Sequence, residues 1–400
     1  MIDLLTMHNF KAFQHTELRL GPLTLLTGLN SSGKSSVLQA LALLRQSYEA
    51  GDLAVAGWLR EAQQAGLATS VANQGFLLNG ELVGLGTGED VLHEDFTEDL
   101  GPDERPPIRL GVTEGPYRYT WTVESEPEQN LLPLLDVDLP LTSEGPSAPA
   151  GPEAHTPSFL TAPFQYLHAD RISPAQFYPR DHQVAIGRSF LGVRGEHAVN
   201  YLRHHGEDTV AAGPLRHPKA ASDSLISQTA AWMGDLCPGV DIEAVAIKGT
   251  DVVSLSYGFQ GTVGATKRRR PGNVGFGLTY VLPVVVACLS AQRGSLVLLE
   301  NPEAHLHPQG QTRMAMLAAS AAAQGVQVIM ETHSDHVLNG VRLAVKQGGL
   351  TPEQVVLHYF RGNGTGAEIV SPRVNADGRI DQWPAGFFDE LENTLDQLIG

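Results

Sequence analysis

The sequence predicts an α/β protein built on a mainly parallel sheet, with an antiparallel β-lobe near the N-terminus and a helical insertion. Three observations predict it. Residues 23–35, LTLLTGLNSSGKS, run from an apolar strand into a glycine-rich loop, and the helix-like VLQALALLRQ follows at once. Short alternating runs broken by glycines, such as NQGFLLNGELVGLGTG and IRLGVTEGPYRYTWTV, fill residues 70–125 and read as strands and hairpins. In the last third, strand and helix patterns alternate, which is how a parallel sheet with crossover helices is written.

Taken in order, residues 1–50 give two strands, the glycine-rich loop and a helix. Residues 124–160 are rich in Pro, Glu, Ser and Ala, and the later part reads as a flexible acidic surface insertion. FQYLHADR (164–171) is a strand ending in a polar loop, and 171–236 is the candidate helical insertion. VDIEAVAIKGTDVVSLSYGF (240–259) predicts a hairpin turning at Gly-Thr-Asp. A basic, glycine-rich loop (267–277) leads into a helix at 278–291, followed by strand 295–299, helix 309–324, strand 326–330, helix 335–347 and strand 355–360. An amphipathic helix closes the chain. These readings divide it into an N-terminal lobe (1–125), the acidic insertion (126–160), intervening strands and helices (161–260) and a C-terminal lobe (261–400).

Four hundred residues, 42% of them apolar, suffice for a sizeable core. The formal net charge of −17 gives no global attraction to nucleic acid or an anionic membrane. Cys237 and Cys288 are the only cysteines and stand far apart, as expected for a reducing cytoplasm rather than a disulfide framework. The N-terminus lacks the pattern of a secretory signal, and the longest apolar run, 280–291, is too short to cross a bilayer. The expected location is cytoplasmic, with no membrane contact.

Four motifs carry chemistry. Gly28–Ser35 is G-x-x-x-x-G-K-S between a strand and a helix, a phosphate-binding P-loop. Its glycines let backbone N–H groups turn toward phosphate oxygens, and the helix N-terminus adds positive partial charge. Gly28, Asn30, Ser31, Ser32, Gly33, Lys34, Ser35 and Ser36 are the candidate triphosphate contacts, with Ser35 placed for Mg2+. SLVLLENPEAHLHP (295–308) ends an apolar strand in Glu300, the Walker-B arrangement that brings a carboxylate to Mg2+. Hydrolysis also needs a group that orients or deprotonates water, and Glu303 is the nearest second carboxylate. VQVIMETHSDH (326–336) places His333 beyond a strand end, where it could meet a γ-phosphate. RPGNVGFG (270–277) sets Asn273, Gly275 and Gly277 before a helix, a loop small enough to approach a phosphate.

Together and in this order, these motifs resemble the ABC-type ATPase heads, specifically their SMC and OLD-like branch, over most of the chain. The resemblance implies an ABC-ATPase-type P-loop fold, ATP with Mg2+, and a head-to-tail homodimer that sandwiches two ATP molecules. HNFKAF stands where that branch has a segment near the nucleotide, so Lys11 and Phe13 become candidate contacts. NVGFG stands at the signature loop, ETHSD at the switch histidine, and Gln74 is the best match for the Q-loop glutamine. One departure matters: Asn301 occupies the position of the usual catalytic Glu. An amide cannot accept a proton as a base. Either Glu303 supplies the carboxylate, with Asn301 orienting water, or hydrolysis is slow. His305 and His307 form an H-x-H pair without an evident third metal ligand. YLHADR, GEHAVNYL, ENPEAHLHP and DGRIDQWPAGFFDE further resemble stand-alone bacterial AAA-labelled ATPases, a group suspected of roles in phage defence or DNA repair.

Two functions fit. One is an ATP-dependent switch for a separately encoded effector, such as a nuclease, since no effector motif accompanies the head. The other is an ATPase acting directly on DNA through Lys267, Arg268, Arg269 and Arg270. The spacing of 265 positions between Ser35 and Glu300 exceeds a compact transporter head, and no LSGGQ-like signature, kinase catalytic loop or guanine-specificity motif occurs.

Overall fold

The computed structural model describes residues 1–53, 74–96, 105–140, 156–261, 264–265, 267–362 and 367–399. The chain begins with strands β1 (Leu4–Phe10), β2 (Phe13–Arg19) and β3 (Leu23–Gly28), then helix α1 (Lys34–Glu49). β4 (Gly75–Leu77), the turn α2 (Gly88–Val91), β5 (Pro107–Glu114), β6 (Tyr117–Glu124) and β7 (Leu131–Asp138) follow. Next come the turn α3 (Ser158–Thr161), β8 (Phe164–Leu167), β9 (Phe177–Pro179), α4 (Ala198–His205), α5 (Leu225–Leu236), β10 (Val240–Ala246), β11 (Val252–Gly261) and β12 (Gly264–Ala265). The last third holds α6 (Phe276–Ser290), β13 (Leu296–Glu300), α7 (Pro308–Ala323), β14 (Gln327–Glu331), α8 (Asp335–Lys346), β15 (Val355–Gly362), β16 (Ala367–Val370) and α9 (Glu390–Ile399).

Two compact units result, and one of the points where the chain passes between them falls inside the P-loop, between Gly28 and Leu29. The first unit comprises Met1–Gly21, Leu29–Ala162 and Phe360–Ile369. Its sheet, in the order β2-β1-β5-β6-β7-β4, is antiparallel throughout, which is the expected N-terminal β-lobe. The alternation that predicted it is real: in β5, Ile108 and Leu110 are buried and Arg109 between them is exposed. β7 lies within the stretch read as a flexible insertion; Leu132, Leu134 and Val137 are buried there, and that apolar face pairs it to β6. Residues 141–155, the most Pro- and Ser-rich part of the same reading, lie outside the described residues. α1 buries Val37, Leu38, Leu41 and Leu44, the helical spacing legible in VLQALALLRQ.

The second unit comprises Pro22–Gly28, Pro163–Tyr359 and Val370–Gly400. Its main sheet runs β15-β3-β14-β13-β8, and β3, β14, β13 and β8 are parallel neighbours. Strands buried on both faces read as continuous apolar runs, and LVLL and VIM do so. α6 is the helix expected from the long apolar run: Leu278–Leu289 is buried without interruption, Pro283 included. It packs against α5 and α7. The hairpin at 240–259 is present, Val240 opposite Phe259, and β9 joins its far side. The segment expected to be a helical insertion holds α4, α5 and a π-helical turn at Gln183–Gly187 within irregular chain. Among the described residues no helix is long and apolar enough to cross a membrane, and both cysteines are free.

Candidate functional site

The phosphate loop is assembled in the first unit from residues close in sequence. Ser31 (φ 58°) and Gly33 (φ 96°) take left-handed backbone, which curls the loop ahead of α1. The Ser32 hydroxyl donates to the Leu29 carbonyl at 2.7 Å, and the Lys34 ammonium donates to the same oxygen. Gly33 is required twice over. Its torsion disfavours a side chain, and a Cβ would stand 2.8 Å from Phe13 Cζ and 3.0 Å from Ala12 Cβ. α1 starts at Lys34 with no side-chain cap, and the Ser36 N–H donates back to the Gly33 carbonyl at 3.1 Å. Lys34, Ser32 and Ser36 are buried, whereas Asn30 and Ser31 are exposed.

Phe13 is 1% exposed, wedged under Gly33 and tilted against Phe360. It supports the loop from beneath instead of presenting a face to a nucleotide. Lys11, at φ 50°, donates from Nζ to Gln39 Oε1 at 2.9 Å on α1. Burial holds its ammonium below the usual lysine range, with nearby Asp90 opposing the shift. Gln74 is half-buried, and its carbonyl accepts from Leu134 N–H. A different glutamine is the structural one: Gln46 on α1 is buried and hydrogen-bonds Leu77, Leu82 and Val83.

The second unit holds the acids. β13 ends in Glu300, whose Oε1 accepts from the Tyr166 hydroxyl and whose Oε2 accepts from the Ala169 N–H at 2.9 Å. Burial and the Glu300 charge push the Tyr166 phenol well above its ordinary range, so it stays a donor. Asn301 follows at φ 41°, its N–H donating to the Glu331 carbonyl at 2.9 Å. Glu303 is 6% exposed. Its Oε1 accepts from the Thr332 hydroxyl at 2.5 Å and the His333 N–H at 3.3 Å. Burial pushes this carboxyl above the usual range, opposed by those hydrogen bonds and by the nearby Arg171 charge. Asn301 Oδ1 and Glu303 Oε2 are buried and, among the described residues, have no hydrogen-bond partner. Glu300, Asn301, Glu303 and His333 are therefore brought together, and the His333 ring is exposed beside Glu331.

Asn273 lies exposed in a 3-10 turn, and Gly275 caps α6, as a loop before a helix requires. Gly277 is instead inside the first turn of α6, which starts two residues earlier than the sequence suggested. It must be small because a Cβ would approach the His305 carbonyl to 2.5 Å. A cavity of about 580 Å³ joins this loop to His305 and His307. Neither histidine is arranged as a metal ligand: the His305 ring packs on Phe276 and Tyr280, and His307 caps α7. Among the described residues no group of His, Cys, Asp or Glu forms a metal cage. Mg2+ does not need one, since it binds through one or two carboxylates, water and substrate phosphates. The Glu300 carboxylate at the end of β13, a hard oxygen donor, fits such an ion.

In the basic run, Arg268 is ion-paired with Asp241 at 2.6 Å and Glu243 at 3.1 Å. Lys267, Arg269 and Arg270 are exposed. Sequence reasoning missed Tyr166, Arg171 and Thr332, the groups that hold the acids; YLHADR and ETHSD contained them but gave no sign of what they hold.

The fold is that of the SMC-like ABC-type heads. The chain belongs to the family described as "AAA domain, putative AbiEii toxin, Type IV TA system", matched over residues 23–339. Residues 350–398 match a second family, "Protein of unknown function (DUF3696)". The crystal structure of an SMC head bound to the C-winged helix domain of ScpA is similar in fold, with a TM-score of 0.50 and 12% identity over 92% of this chain and 97% of its own. The SMC head domain from Thermotoga maritima matches at TM-score 0.42 and 12% identity, over 92% and 98%. The Pyrococcus furiosus Smc head with an extended coiled coil, bound to the C-terminal domain of ScpA, matches at TM-score 0.47 and 11% identity, over the full length of both. No curated protein matches the chain.

Proposed function

We propose that this chain binds and slowly hydrolyses ATP with Mg2+, dimerises on ATP, and acts as a switch for a separately encoded effector. The observation that carries the proposal is the Glu303 carboxyl: buried, held by the Thr332 hydroxyl and the His333 N–H, and with one oxygen that, among the described residues, has no hydrogen-bond partner. A buried carboxylate with raised proton affinity suits a general base.

In this reading Gly28–Ser36 take the triphosphate through backbone N–H groups and Lys34. Ser35 and Glu300 hold Mg2+, which when bound neutralises phosphate charge. The Tyr166 hydroxyl and the Ala169 N–H hold the Glu300 carboxylate in place for that duty. Glu303 takes the proton from water, Asn301 orients it, and His333 contacts the γ-phosphate. Asn273, Gly275 and Gly277 close over the ATP of a second copy. Slow turnover follows from the amide at position 301, which leaves one carboxylate to do what a nearer one would do.

The pairing of Arg268 with two acids leaves fewer cations for phosphates than the sequence offered, and favours the switch over direct action on DNA. The family's description as part of a toxin–antitoxin system supports a partner protein. The test combines three measurements on the full chain. They are Mg-dependent ATP turnover, molar mass with and without a slowly hydrolysed ATP analogue, and pull-down from the native host under both conditions. A monomer in every nucleotide state that recovers no partner sinks the switch; salt-dependent duplex binding lost on neutralising residues 267–270 would install the DNA reading in its place.

A further inference from the structure

Arg171 is the largest buried charge near the acids, and the proposed chemistry gives it no role. It is 1% exposed. Its hydrogen bonds all go to backbone carbonyls: Nε to Tyr280 at 3.1 Å, Nη1 to His168 and Glu300 at 2.8 Å each, and Nη2 to Asn301 at 2.6 Å. Burial lowers its pKa to about 10, so it remains charged at neutral pH. Its guanidinium also lies over the Tyr280 ring, 4.2 Å from the centroid. Tyr280 in turn donates its hydroxyl to the Ala169 carbonyl, and the Ala169 N–H holds Glu300. One planar fork thus joins the end of β13 to α6, the helix that begins in the candidate signature loop.

We propose that Arg171 is a positioning residue that fixes the backbone of Glu300 and Asn301 against α6, and so sets where Asn301 and Glu303 point. A point charge on a flexible stem cannot copy this. Four carbonyl acceptors on one side chain need the five fixed donors of the rigid guanidinium fork, which lysine lacks. The inference rests on the ATPase reading only for its kinetic consequence; the clip itself is independent of nucleotide.

The test uses the full chain with Arg171→Lys, which keeps the charge and loses the fork, and Arg171→Gln, which loses both. In nucleotide-free protein, hydrogen exchange at the Asn301 and Ala304 amides should speed by about tenfold or more in both variants, while amides of the β10–β11 hairpin keep their rates. In turnover, kcat should fall by about 10–100-fold in both, with KM for ATP within about threefold. The acid limb of the pH–rate profile should move to higher pH in Arg171→Gln alone, because only that change removes the charge that lowers the Glu303 pKa. Unchanged exchange at residues 301 and 304, or a uniform rise across the unit, overturns the proposal. Wild-type protein that hydrolyses no ATP defeats the function proposed above and leaves the exchange result to decide this one. If the Gln variant does not fold, the Lys variant decides.

Discussion

The phosphate loop and the acid loop reach their shapes by different routes. In the first unit Ser32 and Lys34 tie back to Leu29, three and five positions away, and Gly33 rests on Phe13 and Ala12. In the second unit Glu300 is held by Tyr166 and Ala169, 134 and 131 positions earlier, and its backbone by Arg171, 129 positions earlier. One loop is local and made largely of backbone; the other is a side-chain network from distant strands. The difference teaches where each is vulnerable. A local loop fails through its own residues, and a distributed network fails through residues no motif names.

The largest effect should come from the network's one underfilled carboxylate. Glu303→Gln is expected to lower turnover by about 10²–10⁴-fold, with ATP affinity within about threefold. Wild-type turnover should fall on the acid side at a pH above the ordinary carboxylate range, because burial raises this group and it must ionise to act. The same shift has a sign for stability. A carboxyl raised in the folded state favours folding below its ordinary pKa, and that advantage is lost as pH rises through the raised value. The Gln variant should therefore gain thermal stability over wild type between acid and neutral pH, read by melting at both. Normal hydrolysis in Glu303→Gln would move the base elsewhere.

Lys34→Ala probes the local loop. It should weaken ATP binding by about 100-fold or more, measured by calorimetry, with a smaller effect on the melting temperature than on affinity. Gly33→Ala should act the opposite way, costing about 1–3 kcal/mol of folding stability in urea titration through its torsion and the Phe13 collision. Adding Phe13→Leu should recover the collision and not the torsion. Full recovery would show that packing alone selects glycine there.

The same contrast explains what could be read from the chain. The P-loop was legible because its determinants are contiguous, and α6 and the central strands because burial on all sides leaves unbroken apolar runs. Glu300, Glu303 and His333 were found as residue types at strand ends. That Thr332 would hold Glu303, or that Arg171 would reach Asn301, depends on the parallel order of β8, β13 and β14, and a linear pattern does not carry strand order. The packing of Phe13 was illegible for a related reason. HNFKAF shows an aromatic near the loop, and only packing shows that its ring lies beneath Gly33. Gly277 was placed in a loop because glycine reads as a breaker, whereas helix α6 keeps it for the passage of the His305 carbonyl.

Asn301 carries a consequence for the mutational routes open to this chain. Its left-handed backbone, φ 41°, is one that asparagine adopts far more readily than longer side chains. Writing a glutamate at this position would add torsional strain of about 1–2 kcal/mol and bring a third carboxylate into the loop that already holds Glu300 and Glu303. Asn301→Glu should thus fail to accelerate hydrolysis, with no rise in kcat at neutral pH. A carboxylate at this position therefore asks for a different backbone as well as a different side chain, and the torsion at residue 301 limits what a single substitution there can do.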